Sequence, residues 1–122
     1  MQTCTHLPQD ALSFSLPHCR VDLHGRNIIR DGRVIPLTAT EAALLQYLVE
    51  QVGRVVPMTE LLVNVWGYSP LSRTRTVYAN ICFLRNKLET DPRNPRHVRT
   101  ARGHGYWFNM DLENRLPIVR AA

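Results

Sequence analysis

Between Thr74 and Leu88 the chain reads TRTVYANICFLRNKL, with Val77, Ile81, Leu84 and Leu88 spaced 4, 3 and 4 residues apart. That spacing predicts an amphipathic helix over about 74–88 with one narrow apolar stripe. A helix of this length is marginal alone, so the rest of the chain must cover the stripe. At about 100° per residue the opposite side carries Arg75, Ala79, Cys82, Phe83 and Asn86, flanked by Tyr78 and Arg85. An apolar Cys-Phe pair on an otherwise basic outer side implies that the outer side is also covered by something.

The neighbouring text supplies the covering elements. In LTATEAALLQYLVEQVGR, Thr38 and Glu41 form a capping box, in which each side chain satisfies a free N–H of the first turn. Leu44, Leu45, Leu48, Val49 and Val52 recur at helical spacing, and Gly53 offers a left-handed stop. A shorter helix follows Pro57, with Leu61, Leu62, Val65 and Trp66 on one face and Gly67 at its end. Residues 12–37 are short apolar or alternating runs broken by turns, and Asp31-Gly32 is a strong hairpin signal because a type I′ turn needs positive φ at both positions. About four short antiparallel strands are expected there. TDPRNPR is a proline-broken loop, and HVRTARGHGYWF reads as two short strands around ARGHG. Residues 1–11 show no periodicity and are expected to be a flexible leader; the tail 109–122 shows no clear element.

The expected fold is therefore α+β: a winged helix-turn-helix over residues 12–108, with an N-terminal four-stranded antiparallel sheet, three helices and a C-terminal β-hairpin wing. In that architecture the third helix enters the major groove of double-stranded DNA, and the wing (about 98–107) reaches the adjoining backbone or minor groove.

Charge points the same way. Residues 1–70 hold five Arg and six acids, whereas 71–107 hold seven Arg, one Lys and two acids, Glu89 and Asp91. The net charge of +5 is thus concentrated in one third of the chain, which suits a polyanionic partner as well as an ordinary solvated face. No apolar run approaches the roughly 18–20 residues that cross a bilayer, and MQTCTHLPQD lacks a signal-peptide pattern, so no membrane partner and a cytoplasmic location are expected. The three cysteines, Cys4, Cys19 and Cys82, fit free thiols better than a disulfide framework. Cys4, His6, His18 and Cys19 are zinc-compatible types without a recognised ligand spacing, so no metal or cofactor is expected. No triad or phosphate-loop pattern appears among the histidines and acids, and His104 between Gly103 and Gly105 fits a wing turn; an enzyme is not expected.

Seven motifs in order carry a family resemblance: L-T-x-x-E, G-R-V-V, V-W-G-Y, R-T-V, L-R-x-K-L, D-P-x-x-P-R and R-T-x-R-G-x-G-Y-x-F. Over residues 12–108 the chain resembles the OmpR/PhoB-type winged-helix DNA-binding domain of bacterial response regulators, the output half of two-component systems. The resemblance implies transcription regulation, with Arg75, Asn80, Phe83 and Arg85 at positions that meet bases and phosphates. It also implies that Thr100 and Arg102 act from the wing, and that Trp66 lies near the sugar-phosphate backbone. Arg73, Thr76, Tyr78, Lys87 and Arg99 complete the candidate DNA-contacting set. Loop 67–74 matches a segment through which family members touch RNA polymerase, and pairs of domains on direct repeats, as a homodimer on DNA, are the family habit.

Three departures bear on these expectations. No phospho-acceptor receiver domain fits in this sequence, which leaves a free-standing regulator, favoured by Met1 and the short leader, or an excised domain. Pro57-Met58 replaces the usual Ser/Thr-Arg start of the second helix, removing a side-chain cap and a phosphate contact, although proline is acceptable there. Cys82-Phe83 stands where two basic residues are common, which shifts phosphate binding toward the wing. Phe83 suits contact with a thymine methyl, or packing on the wing or a protein partner. Cys82 allows oxidation in the groove to block binding, with Arg75 and Arg85 favouring thiolate. A winged helix that docks on RNA polymerase or another regulator is the alternative function.

Overall fold

Asp31 (φ 51°) and Gly32 (φ 72°) form a two-residue turn with positive φ at both positions, and Arg30 pairs with Arg33 across it. This turn joins β3 (Asn27–Arg30) to β4 (Arg33–Pro36). With β1 (Ser13–Leu16) and β2 (Cys19–Asp22) they make an antiparallel sheet in the order β1-β2-β3-β4. The computed structural model describes residues 13–69 and 75–110. The expected leader at 1–11, Arg73, Thr74 and most of the tail lie outside the described residues.

Alternation along the strands buries Leu16, Val21 and Ile28, and leaves Arg20, Ile29 and Val34 exposed on the other face. Three helices follow: α1 (Ala39–Glu50), α2 (Met58–Leu61) and α3 (Arg75–Leu88). The capping box at the start of α1 is complete, with Glu41 N–H on Thr38 Oγ1 and Thr38 N–H on Glu41 Oε1, both at 3.0 Å. Leu44, Leu45 and Leu48 are fully buried, as their spacing predicts.

The end of α1 differs from the expectation. The helix stops at Glu50, Gln51 is the cap, and Val52 lies beyond it, 41% exposed, so Val52 belongs to the turn and not to the stripe. The second helix is not a continuous α-helix either. After Leu61 it widens into a π-helical turn, Leu62–Trp66, ended by Gly67 at φ 71°. Leu61 and Leu62 are fully buried while Val65 and Trp66 are only partly covered.

β5 (Val98–Ala101) and β6 (Gly105–Phe108) form the C-terminal hairpin, which docks on the segment before α2. Val56 N–H donates to Tyr106 O (2.7 Å), and Tyr106 N–H donates back to Val56 O (3.0 Å). Gly105 makes this approach possible: at φ 146° a Cβ there would stand 2.1 Å from Val56 O. Val77, Ile81, Leu84 and Leu88 of α3, Val98, Tyr106 and Phe108 of the hairpin, and the leucines of α1 share one core.

Candidate nucleic-acid interface

The N-terminal sheet fixes one end of α3. Arg30 Nη1 donates to Lys87 O (3.0 Å) and Glu89 O (3.1 Å), and His18 Nε2 donates to Leu88 O (2.6 Å). Cationic and N–H donors thereby satisfy carbonyls that a helix C-terminus leaves free. Of the zinc-compatible residues, His18 is spent on this bond and Cys19 is buried; Cys4 and His6 lie outside the described residues.

The outer side of α3 is laid out as the spacing predicts. Tyr78 is 58% and Phe83 54% exposed; Arg75 and Asn86 are exposed as well, while Ala79, Cys82 and Thr76 are half-buried. Two amides on the helix turn back onto it. Asn80 Nδ2 donates to Thr76 O (3.0 Å) and Asn86 Nδ2 to Cys82 O (3.1 Å).

The two cations of the last turn are hydrogen-bonded within the fold. Arg85 Nε donates to Val98 O (3.0 Å) and Nη2 to Thr100 Oγ1 (2.8 Å), with the guanidinium carbon 5.8 Å from the Tyr106 ring centroid. It fastens α3 to β5 and occupies the Thr100 hydroxyl. Lys87 Nζ reaches the opposite flank, donating to Pro36 O (2.9 Å) and to Glu41 Oε1 (2.6 Å). Glu41 is buried, so this ion pair joins α3 to the capped start of α1.

The wing carries the open charge. Arg102 and His104 are exposed in the turn Arg102–His104, which closes with His104 N–H on Ala101 O (2.8 Å). Arg99 is exposed with its guanidinium 5.5 Å from the Trp107 ring centroid. The hairpin is anchored by Glu89, which neither spacing nor charge pattern singles out in the sequence. Its buried carboxylate accepts the N–H groups of Arg96 (2.8 Å), His97 (3.0 Å) and Val98 (2.7 Å). A glutamate directly after a helix is too common a feature to signal this. The different direction of Lys87 has a local sign, because it lies off the apolar stripe on the flank away from Arg85.

At the start of α2, Pro57 is the cap residue and makes no side-chain cap bond. Arg54 pairs instead with Glu60, whose second partner is the Tyr47 hydroxyl; Arg54 foremost, then Tyr47, holds the Glu60 carboxyl below its usual range. Trp66 packs partly against the core, and Tyr68 opens the following loop, 47% exposed.

The family model for "Transcriptional regulatory protein, C terminal" matches residues 32–108. The probable transcriptional regulator ycf27 of Guillardia theta is 44% identical over 90 residues, covering 72% of this chain and 35% of that protein. The transcriptional regulatory protein KdpE of Mycobacterium tuberculosis is 41% identical over 88 residues, covering 72% and 39%. The chain thus spans somewhat more than a third of the curated relatives it matches. Among solved structures, the Thermotoga maritima response regulator DrrB, an OmpR/PhoB homologue, superposes with a TM-score of 0.70 at 30% identity, covering 80% of this chain and 44% of that one. The DNA-binding domain of Klebsiella pneumoniae RstA, solved in complex with the RstA box, gives 0.67 at 26% identity, covering 79% and 95%. With sequence, fold and hairpin agreeing, the chain belongs to the family of transcriptional-regulator C-terminal domains, the winged helices of OmpR/PhoB type.

Proposed function

We propose that this chain is a sequence-specific regulator of transcription that binds double-stranded DNA, with the outer side of α3 in the major groove and the wing at the adjacent minor groove. The observation that carries the reading is the joint layout of α3 and the wing: Arg85 ties the helix to β5, so that the exposed side of α3 and exposed Arg99 and Arg102 belong to one rigid piece. Arg75, Tyr78 and Phe83 meet base edges and nearby phosphates; Arg99 and Arg102 bind backbone and minor groove. Arg85 and Thr100 act by holding the wing, and Lys87 by holding α3 on α1. The similarity to a DNA-binding domain solved on its recognition sequence supports the same reading.

In vitro selection against random duplex DNA, with binding followed at several salt concentrations, tests it. The reading expects an enriched sequence and affinity that falls steeply with salt, as counterion release requires. Enrichment of direct repeats would add the tandem homodimer. Exposed Tyr78 and Phe83 also favour a second reading, docking on RNA polymerase or another regulator; a partner bound without duplex and without salt dependence would establish that one.

A further inference from the structure

The middle of the α3 outer side has a chemistry of its own. Ala79, Cys82 and Phe83 stand at i, i+3 and i+4, so they form one contiguous patch of methyl, thiol and ring. Most of the polar groups beside it hold hydrogen bonds within the fold, while exposed Arg75 lies one turn toward the N-terminus of the helix. Asn80 and Asn86 each spend an amide N–H on the carbonyl four residues back. Arg85 is drawn to the wing on one flank, and Lys87 to Glu41 on the other. Ala79, Cys82 and Phe83 themselves thus present no bidentate Arg or Asn fork of the kind that distinguishes G or A in the major groove, and Arg75 is left to read a neighbouring base or phosphate.

A surface of this kind recognises apolar features of base edges, and in the major groove that feature is a methyl group on pyrimidine C5. Thymine carries it, uracil and cytosine lack it, and 5-methylcytosine regains it. The group next to C5 is an acceptor in thymine and a donor in cytosine, but only a hydrogen-bonding side chain senses that difference. Building on the DNA-binding reading, we propose that α3 reads the C5-methyl group itself, so that 5-methylcytosine substitutes for thymine under the Ala79–Cys82–Phe83 patch and cytosine methylation strengthens binding at such a site.

The test uses the duplex enriched by selection. At each thymine in turn, T·A is replaced by U·A, which removes only the methyl group. The same positions then receive cytosine or 5-methylcytosine opposite hypoxanthine, which leaves the minor-groove pattern as in T·A. The expected result is about a fourfold loss with uracil at one or two positions, the equivalent of burying one methyl at ~0.8 kcal/mol. At those positions 5-methylcytosine binds about fourfold tighter than cytosine, and Phe83→Ala erases both differences without changing the salt dependence. Methylated and unmethylated cytosine binding alike at every position would overturn the proposal, as would a methyl preference that survives Phe83→Ala. Either result leaves the regulator reading standing if sequence-selective, salt-dependent binding persists; loss of duplex binding altogether removes both.

Discussion

The last turn of α3 and the wing carry the same formal charge and use it in opposite ways. Arg85 and Lys87 end on Val98 O, Thr100 Oγ1, Pro36 O and Glu41, all within the fold. Arg99 and Arg102 stand exposed; among the described residues Arg102 has no ion pair, and Arg99 lies only over the Trp107 ring. Net charge cannot separate the two pairs, but acceptor geometry can. A cation beside a buried carboxylate or a free carbonyl is part of the frame, and one without such a neighbour is available to a ligand.

The most damaging way to break this contrast is to remove the platform that both regions share. Gly105→Ala places a Cβ against Val56 O at a φ of 146°, and should cost more than about 4 kcal/mol or prevent folding, as read by urea denaturation. Next comes Lys87→Met, which leaves the buried Glu41 carboxylate without its cation. A loss of about 2–3 kcal/mol is expected, at the low end for a broken buried pair because Lys87 itself is partly exposed. Arg85→Lys keeps the charge and loses the fork to Val98 and Thr100. Unfolding should become easier by about 1 kcal/mol, and amide exchange should quicken in β5.

The cysteines sharpen the same contrast at smaller cost. Burial pushes the Cys19 thiol from 9.0 to about 11, so it stays neutral in the fold while the unfolded thiol ionises. Its contribution to stability is intact below pH 9.0 and is lost as the pH climbs toward 11. In a Cys4→Ser background, alkylation near pH ~8 should modify Cys82 and spare Cys19, and bound duplex should protect Cys82. Equal labelling of both thiols in the folded protein would contradict the burial; labelling of Cys82 unaffected by duplex would contradict the proposed docking of α3 in the groove.

Much of this was legible in the sequence because periodic burial is a local property. The four-residue capping box, the Asp31-Gly32 turn and the 4-3-4 stripe of α3 are decided by neighbours in the chain, and each appears where spacing put it. What the sequence concealed depends on distant acceptors. Lys87 meets Glu41 across 46 residues, and Arg30 meets the end of α3 across 57 and 59, so the helical spacing gave the flank on which Lys87 lies but not the acceptor it finds there. The π-helical turn before Gly67 was hidden too, since the apolar spacing of Leu61, Leu62, Val65 and Trp66 suits an ordinary helix equally well.

The division of the cations is tested most directly by the salt dependence of duplex binding in Arg102→Ala and Lys87→Met, each with its stability measured alongside. Arg102→Ala should keep its stability within about 0.5 kcal/mol, while its affinity falls by about 1–3 kcal/mol and its log–log salt slope by about 1. Lys87→Met should lose stability yet keep the wild-type slope under conditions where it is folded. The reverse, a shallower slope for Lys87→Met and an unchanged one for Arg102→Ala, would contradict the assignment of frame and ligand charges.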